Sequence, residues 1–193
     1  MAIPQSVVSR PGKSYCLVSP EEMRRAMAPY GVRKCKPSEI VPALKLGESL
    51  VGRKLARAEV VYTLDTITGM SIWVTGQPIS GLYVSVPLTY EGRVAAEKGQ
   101  FIPEDPVLSH VAPARTPIHG SYLGVYAGAT KEARRAIMKA SITARETHFS
   151  GVPSYARAAT QEGERAMLEM GFRRLDETAP GMFVLDPLTG WRQ

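Results

Sequence analysis

Cysteine is scarce: Cys16 and Cys35 are the only two in 193 residues. Two thiols cannot staple a chain of this length, so a disulfide framework is excluded. Both are expected to be free, in a reducing compartment. Long apolar runs are missing too. No stretch approaches the roughly 20 apolar residues of a membrane span. The opening Met1-Ala2-Ile3-Pro4-Gln5 lacks the charged-then-apolar order of a signal peptide. A cytoplasmic protein with no membrane segment is therefore expected. Several chemical signatures are also lacking. There is no HExxH, CxxC or His pair at ligand spacing, and no metal site is expected. There is no Gly-x-Ser-x-Gly, and neither cysteine sits in a nucleophile motif, which argues against hydrolases.

What is present fits an ordinary globular domain. Apolar residues make up 44% and charged residues 22%, and a chain this long can bury about 70% of its extended surface without a disulfide or a metal. Lys and Arg exceed Asp and Glu by 24 to 18, a net charge of +6. That balance favours acidic ligands: nucleic acid, phosphate-bearing cofactors or anionic surfaces. The densest basic cluster is Arg33, Lys34 and Lys36, with Arg24 and Arg25 just before it. No aromatic-basic RNA motif accompanies it, and such runs ordinarily form solvated faces.

Along the chain, residues 1–14 read as an irregular arm and Tyr15 to Val18 as a short strand. Ser19-Pro20-Glu21-Glu22 opens a helix, with Ser19 as cap and Glu22 completing a capping box. Met23, Ala26, Met27 and Tyr30 share a face of it, and Gly31 ends it. A second helix is expected from Pro37 to Leu46, burying Ile40, Val41 and Leu44. Three β-rich segments follow, Ala58 to Leu64, Met70 to Val74 and Ile79 to Pro87, and read as an antiparallel meander. Thr89 to Gly120 holds one helix, Tyr90 to Lys98, and then repeated prolines, the pattern of a long lid or binding loop. In the last third, the strand Tyr122–Ala127 leads into a helix from Thr130 to about His148. Ala133, Ala136, Ile137, Ala140 and Ala144 form its buried side. The strand Val152–Ala158 leads into a helix capped at Thr160, with Gly163, Ala166, Met167 and Met170 on one face. Phe172–Leu175 and Met182–Leu185 close the chain as strands. A meander followed by alternating elements predicts an α/β fold of the α+β kind: a mixed, mostly antiparallel twisted sheet flanked by helices in one domain, with 89–120 as an insertion.

The junction Val125-Tyr126-Ala127-Gly128-Ala129-Thr130 carries the most chemistry. A strand runs through small residues into a helix whose first N–H groups have no helical acceptor. With the helix dipole, such a turn can hold an anion such as a pyrophosphate. Lys131, Arg134 and Arg135 add positive charge nearby. The turn is neither a P-loop nor a GxGxxG fingerprint.

The segment from Ala158 through Thr160 to Met170-Gly171-Phe172-Arg173 resembles the penultimate helix of the GNAT superfamily of N-acetyltransferases, which closes on a Gly-Phe that begins the next strand. Thr160 stands where the family usually has Asn, and Met167 where it often has the Tyr that protonates the leaving thiolate. By order of elements the resemblance covers most of the chain, and by motif the C-terminal third. It implies that Val125, Tyr126, Ala127, Gly128, Ala129, Thr130 and Thr160 bind acetyl-CoA or another acyl-CoA, and that an amine acceptor, small molecule or protein, is approached from the meander and the insertion. It further implies a homodimer. Of the family's Gln/Arg-x-x-Gly-x-Gly/Ala loop only the small residues are kept.

Transfer from acyl-CoA to an amine needs a base and an acid. Tyr155 is a candidate acid, and Tyr126 a similar case. His110 and His119, in the insertion, are candidate bases. Glu91 and Glu104 follow them. Two further readings stand beside the acyltransferase: a GNAT-like protein that binds CoA or a protein partner without catalysis, and a basic RNA- or ribosome-associated module.

Overall fold

A computed structural model describes residues 7–10, 13–17 and 19–188, with side chains from Leu17 onward. The elements in chain order are β1 (Val7–Arg10), β2 (Lys13–Leu17), α1 (Pro20–Met27), β3 (Val32–Lys34), α2 (Ile40–Val51), α3 (Ala58–Thr68), β4 (Ile72–Thr75), β5 (Gly81–Leu88), α4 (Tyr90–Glu97), β6 (Pro117–Ile118), β7 (Gly120–Gly128), α5 (Lys131–Thr147), β8 (Ser154–Arg157), α6 (Gln161–Glu169), β9 (Arg173–Arg174) and β10 (Met182–Leu185). The fold is α+β. A seven-stranded mixed sheet in the order β3-β4-β5-β7-β8-β10-β9 is flanked by helices, and β1, β2 and β6 form a small second sheet. Within the large sheet only β7 and β8 run parallel. Among the described residues no helix is long and apolar enough to cross a membrane.

Each face of the sheet has its own core. On one face α1 and α5 cover the sheet: Met23, Met27, Ile137, Ala140 and Ala144 pack on Trp73 and Tyr83. On the other, Ile40, Ala43 and Leu44 of α2 and Val61 of α3 meet Val74, Leu82, Val84, Val125 and Ala127. Beside them Leu64, Ala95, Ala96 and Phe101 meet Val86, Leu88, Tyr122 and Tyr155. Each fully buried aliphatic or aromatic side chain contributes about 1.5–3 kcal/mol, so these layers hold the strands from which the site is built.

The largest correction concerns Ala58–Leu64, expected as a strand. It is the start of helix α3. Val60, Val61, Tyr62 and Thr63 favour strands, but Val61, Leu64 and Thr68 recur at helical spacing and are all buried. Packing along that stripe overrides a weak local preference. Gly69 then ends the helix in the left-handed region, at φ 69°, where a side chain would be strained. The meander is thus reduced to β4 and β5.

Smaller corrections have local causes. Residues 7–10 and 13–17 pair as a hairpin, so 1–14 is not an irregular arm throughout; residues 1–6, 11, 12 and 18 lie outside the described residues, as does the side chain of Cys16. Ser19 precedes α1 but makes no capping bond, because its hydroxyl donates to the Glu21 carboxylate instead. Helix α2 runs to Val51, and Pro42 falls in its first turn, where a missing N–H costs nothing. Ala43 and Gly47 are buried there, and Val41 is 49% exposed. In the long segment 89–120, Phe101, Val111, Ala112 and Ile118 are buried, whereas Tyr90, Ile102, Val107 and Leu108 are exposed. Helix α6 buries no side chain fully. Ala166 and Met170 of its expected inner face are exposed, and only Met167 leans on Ala156, Phe172 and Phe183.

Candidate functional site

The parallel pair is tied at its start and open at its end. Ser121 and Ser154, both buried, share a hydrogen bond of 2.8 Å between hydroxyls, and the Ser121 N–H donates to the Pro153 carbonyl. Pairing runs from Ser121↔Ser154 to Leu123↔Ala156 and stops. On the other side of β7, Leu123 faces Ser85 and Val125 faces Val84, so Gly124 is the extra residue of a β-bulge. Beyond the bulge β7 runs on to Gly128 with β5 alone, and no pairing joins it to β8.

Both strands then lead into helices at the same end of the sheet. Thr130 caps α5, its hydroxyl oxygen accepting from the Ala133 N–H at 3.1 Å. Thr160 caps α6 in the same way, accepting from Gly163 at 3.0 Å. The carboxyl ends of adjacent parallel strands are where α/β sheets place ligands, and here two helix starts open there. The first-turn N–H groups of Lys131 and Glu132 have no carbonyl of their own helix to reach.

The residues of the 125–130 turn divide their work. Val125 and Ala127 are buried against α2, whereas Tyr126 is on the opposite face, beside α5 and partly exposed. Gly128 is a packing glycine: a Cβ there would lie 2.5 Å from the backbone nitrogen of Arg134. Its carbonyl accepts from the Arg134 guanidinium. The Ala129 N–H donates to the Ser80 carbonyl at 2.7 Å, while the Ala129 side chain is exposed. The open surface of the turn is therefore Ala129, Thr130 and Lys131.

The candidate acids and bases are scattered. Tyr155 is buried, and its hydroxyl donates to the Glu97 carboxylate at 2.7 Å. Burial, and then that carboxylate, push its pKa far above the usual tyrosine range. Glu97 is also held by Arg93. His110 and His119 lie by α4, near the other end of β5. His119 makes an edge contact with Tyr90, and His110 lies against Phe101. The structure does not bring either histidine to the 125–130 turn. Cys35 is buried, and burial pushes its thiol up to about 12, which leaves it inert as a nucleophile.

A different set converges where the strands part. On the face covered by α2 and α3 lies a recess of about 40 Å³, walled by Leu44, Val61, Leu64, Val84 and Val86, with Tyr122 and Gly124 at its floor. Arg53 and Glu104 line it as well and are exposed, so they stand at its mouth. Burial pushes the Tyr122 phenol up to about 12, and its hydroxyl lies in the fields of Arg157, Glu104 and Arg53. Arg157, the last residue of β8, reaches the Gly99 carbonyl with one terminal nitrogen, and its buried Nε has no hydrogen-bond partner. Among the described residues neither Arg53 nor Glu104 is in an ion pair. Of this group, the sequence had pointed to Glu104 alone. Tyr122 opens a predicted strand but gives no signal of its own, and Arg53 is an ordinary basic residue until the fold sets it beside Tyr122 and Glu104.

Among the described residues no cluster of three or more His, Cys, Asp or Glu is placed to hold a metal ion. No family model matches the chain, and no curated protein and no solved structure matches it.

Proposed function

We propose that the protein is an acyl-CoA-dependent N-acyltransferase of the GNAT type that moves an acyl group, acetyl in the simplest case, directly to an amine. The observation that carries this reading is the parting of β7 and β8 at the Gly124 bulge, with capped helices opening at both carboxyl ends and a recess over Tyr122 and Gly124 of β7. The resemblance at Met170-Gly171-Phe172-Arg173 supports it, because that segment sits beside the same gap.

The residues present fit an acyl-CoA. The Ala129–Lys131 surface offers unpartnered first-turn N–H groups and the positive end of α5 to a pyrophosphate. Lys131 and Arg135 are exposed beside it. The acyl-CoA would supply an activated acyl group as its thioester. Tyr122 keeps its proton well above neutral pH and can give it to a departing thiolate, regaining it from solvent. This is the role that Met167 cannot take. The Glu104 carboxylate, at the mouth of the recess, can accept the proton an amine must lose.

Calorimetry with CoA and acetyl-CoA tests the reading. The probe variant is Ala129→Glu, which sets a negative charge on the open surface of the turn. Gly128 is unsuitable, since any side chain there would strike the Arg134 backbone. Micromolar binding by the wild type and a loss of about 2 kcal/mol or more in the variant, some thirtyfold, are expected. Absence of binding by the wild type at millimolar ligand overturns the reading. With turnover in hand, Tyr122→Phe should lower kcat about a hundredfold at unchanged CoA affinity.

A further inference from the structure

The recess has an unusual charge pattern. Its walls are aliphatic and hold about 40 Å³, room for about three water molecules and so for a small branched side chain. Its mouth carries one carboxylate, Glu104, and one guanidinium, Arg53. Opposite charges on one small opening would ordinarily be expected to pair. These two do not: neither has an ion-pair partner among the described residues. A lone amine would satisfy Glu104 and leave Arg53 unpaired. A lone carboxylate would satisfy Arg53 and be repelled by Glu104. A ligand carrying both charges next to an aliphatic group satisfies the whole set.

We infer that the acceptor is a free amino acid with a branched aliphatic side chain, leucine or a close homologue. Its side chain fills the recess, its ammonium faces Glu104 and its carboxylate faces Arg53. This deepens the acyltransferase reading and rests on it for the word acceptor, but the recognition itself needs no CoA. The amine is thereby placed at the mouth of the recess, beside the Glu104 carboxylate.

Ligand-observed NMR titration of the full chain tests this, with and without saturating CoA. The probes are leucine, 3-methylbutylamine, which lacks the carboxylate, and 4-methylpentanoate, which lacks the amine. Leucine should bind about tenfold more tightly than either, since each analogue gives up a charge-assisted pair. Glu104→Gln should cut the preference for leucine over 4-methylpentanoate to about threefold or less, and Arg53→Gln should do the same against 3-methylbutylamine. Both side chains are exposed, so the variants are expected to melt with the wild type. Leucine binding no better than the two analogues, or failing to bind in both titrations, overturns the proposal. A leucine preference in a protein that does not bind CoA would uphold the recognition and defeat the acyltransferase.

Discussion

Helices α5 and α6 follow the two parallel strands, start alike and are held very differently. Each begins with a threonine whose hydroxyl accepts from the third N–H of the helix. Helix α5 then runs 17 residues and buries Ala133, Ile137, Ala140 and Ala144, and its end is clamped by Arg145, which donates to the carbonyls of Phe149, Val152 and Asp186. Helix α6 runs nine residues and buries none, leaving Leu168 and Met170 open to solvent. The gap between the parted strands therefore has one wall set in the core and one lightly attached. A wall of the second kind opens locally at low cost, because few buried contacts oppose it.

The comparison is most sharply broken by truncating the apolar contacts. Ile137→Ala should cost about 2–5 kcal/mol in urea unfolding, whereas Met167→Ala should cost less than about 1.5 kcal/mol. Equal losses would show that α6 is as firmly seated as α5. The caps come next. Thr130→Ala should lower global stability by about 1 kcal/mol. Thr160→Ala should leave the unfolding midpoint nearly unchanged and instead speed amide hydrogen exchange within α6. A global loss from both would erase the distinction.

The smallest effect is one of pH, and only the anchored helix should show it. His148, which ends α5, is buried with its Nε2 unpartnered, and burial lowers its pKa below the ordinary value, against a weaker opposing pull from Glu22. A base depressed in the folded state takes up its proton more readily when unfolded. Stability should thus be lost as pH falls through the ordinary histidine range toward the folded pKa, and be unaffected above it. Unfolding at about pH 7.5 and about pH 5.5 should differ more for the wild type than for His148→Gln. A pH dependence unchanged in the variant would remove His148 from the account.

The same contrast governs what could be read in the sequence. Helix α5 was legible because its alanines and Ile137 recur at helical spacing after a capping threonine. Helix α6 was legible as a helix for the same reasons, but its inner face was not, since Ala166 and Met170 fit the period and yet meet nothing in the core. Helix α3 was misread because Val60, Val61 and Tyr62 favour strands, and only the partners across α2 and β5 decide otherwise. At the site, Thr130 and Thr160 could be found by their position before a helical repeat. Arg53, Glu104 and Tyr122 could not be grouped, because they come from a loop, the insertion and a strand, and only tertiary structure brings them to one recess.

The bulge at Gly124 also sets the phase of strand β7. Side chains alternate across a sheet, so Tyr122 and Val125, three apart, should lie on opposite faces. They share one, because the extra residue resets the count. Were Gly124 to pair as an ordinary strand residue instead of bulging, the rest of the strand would turn over, bringing Tyr126 into the aliphatic layer beneath α2 and sending Val125 and Ala127 toward α5. A single glycine thus keeps two unlike sets of side chains, one facing the recess and one facing the helix, in step along the same strand.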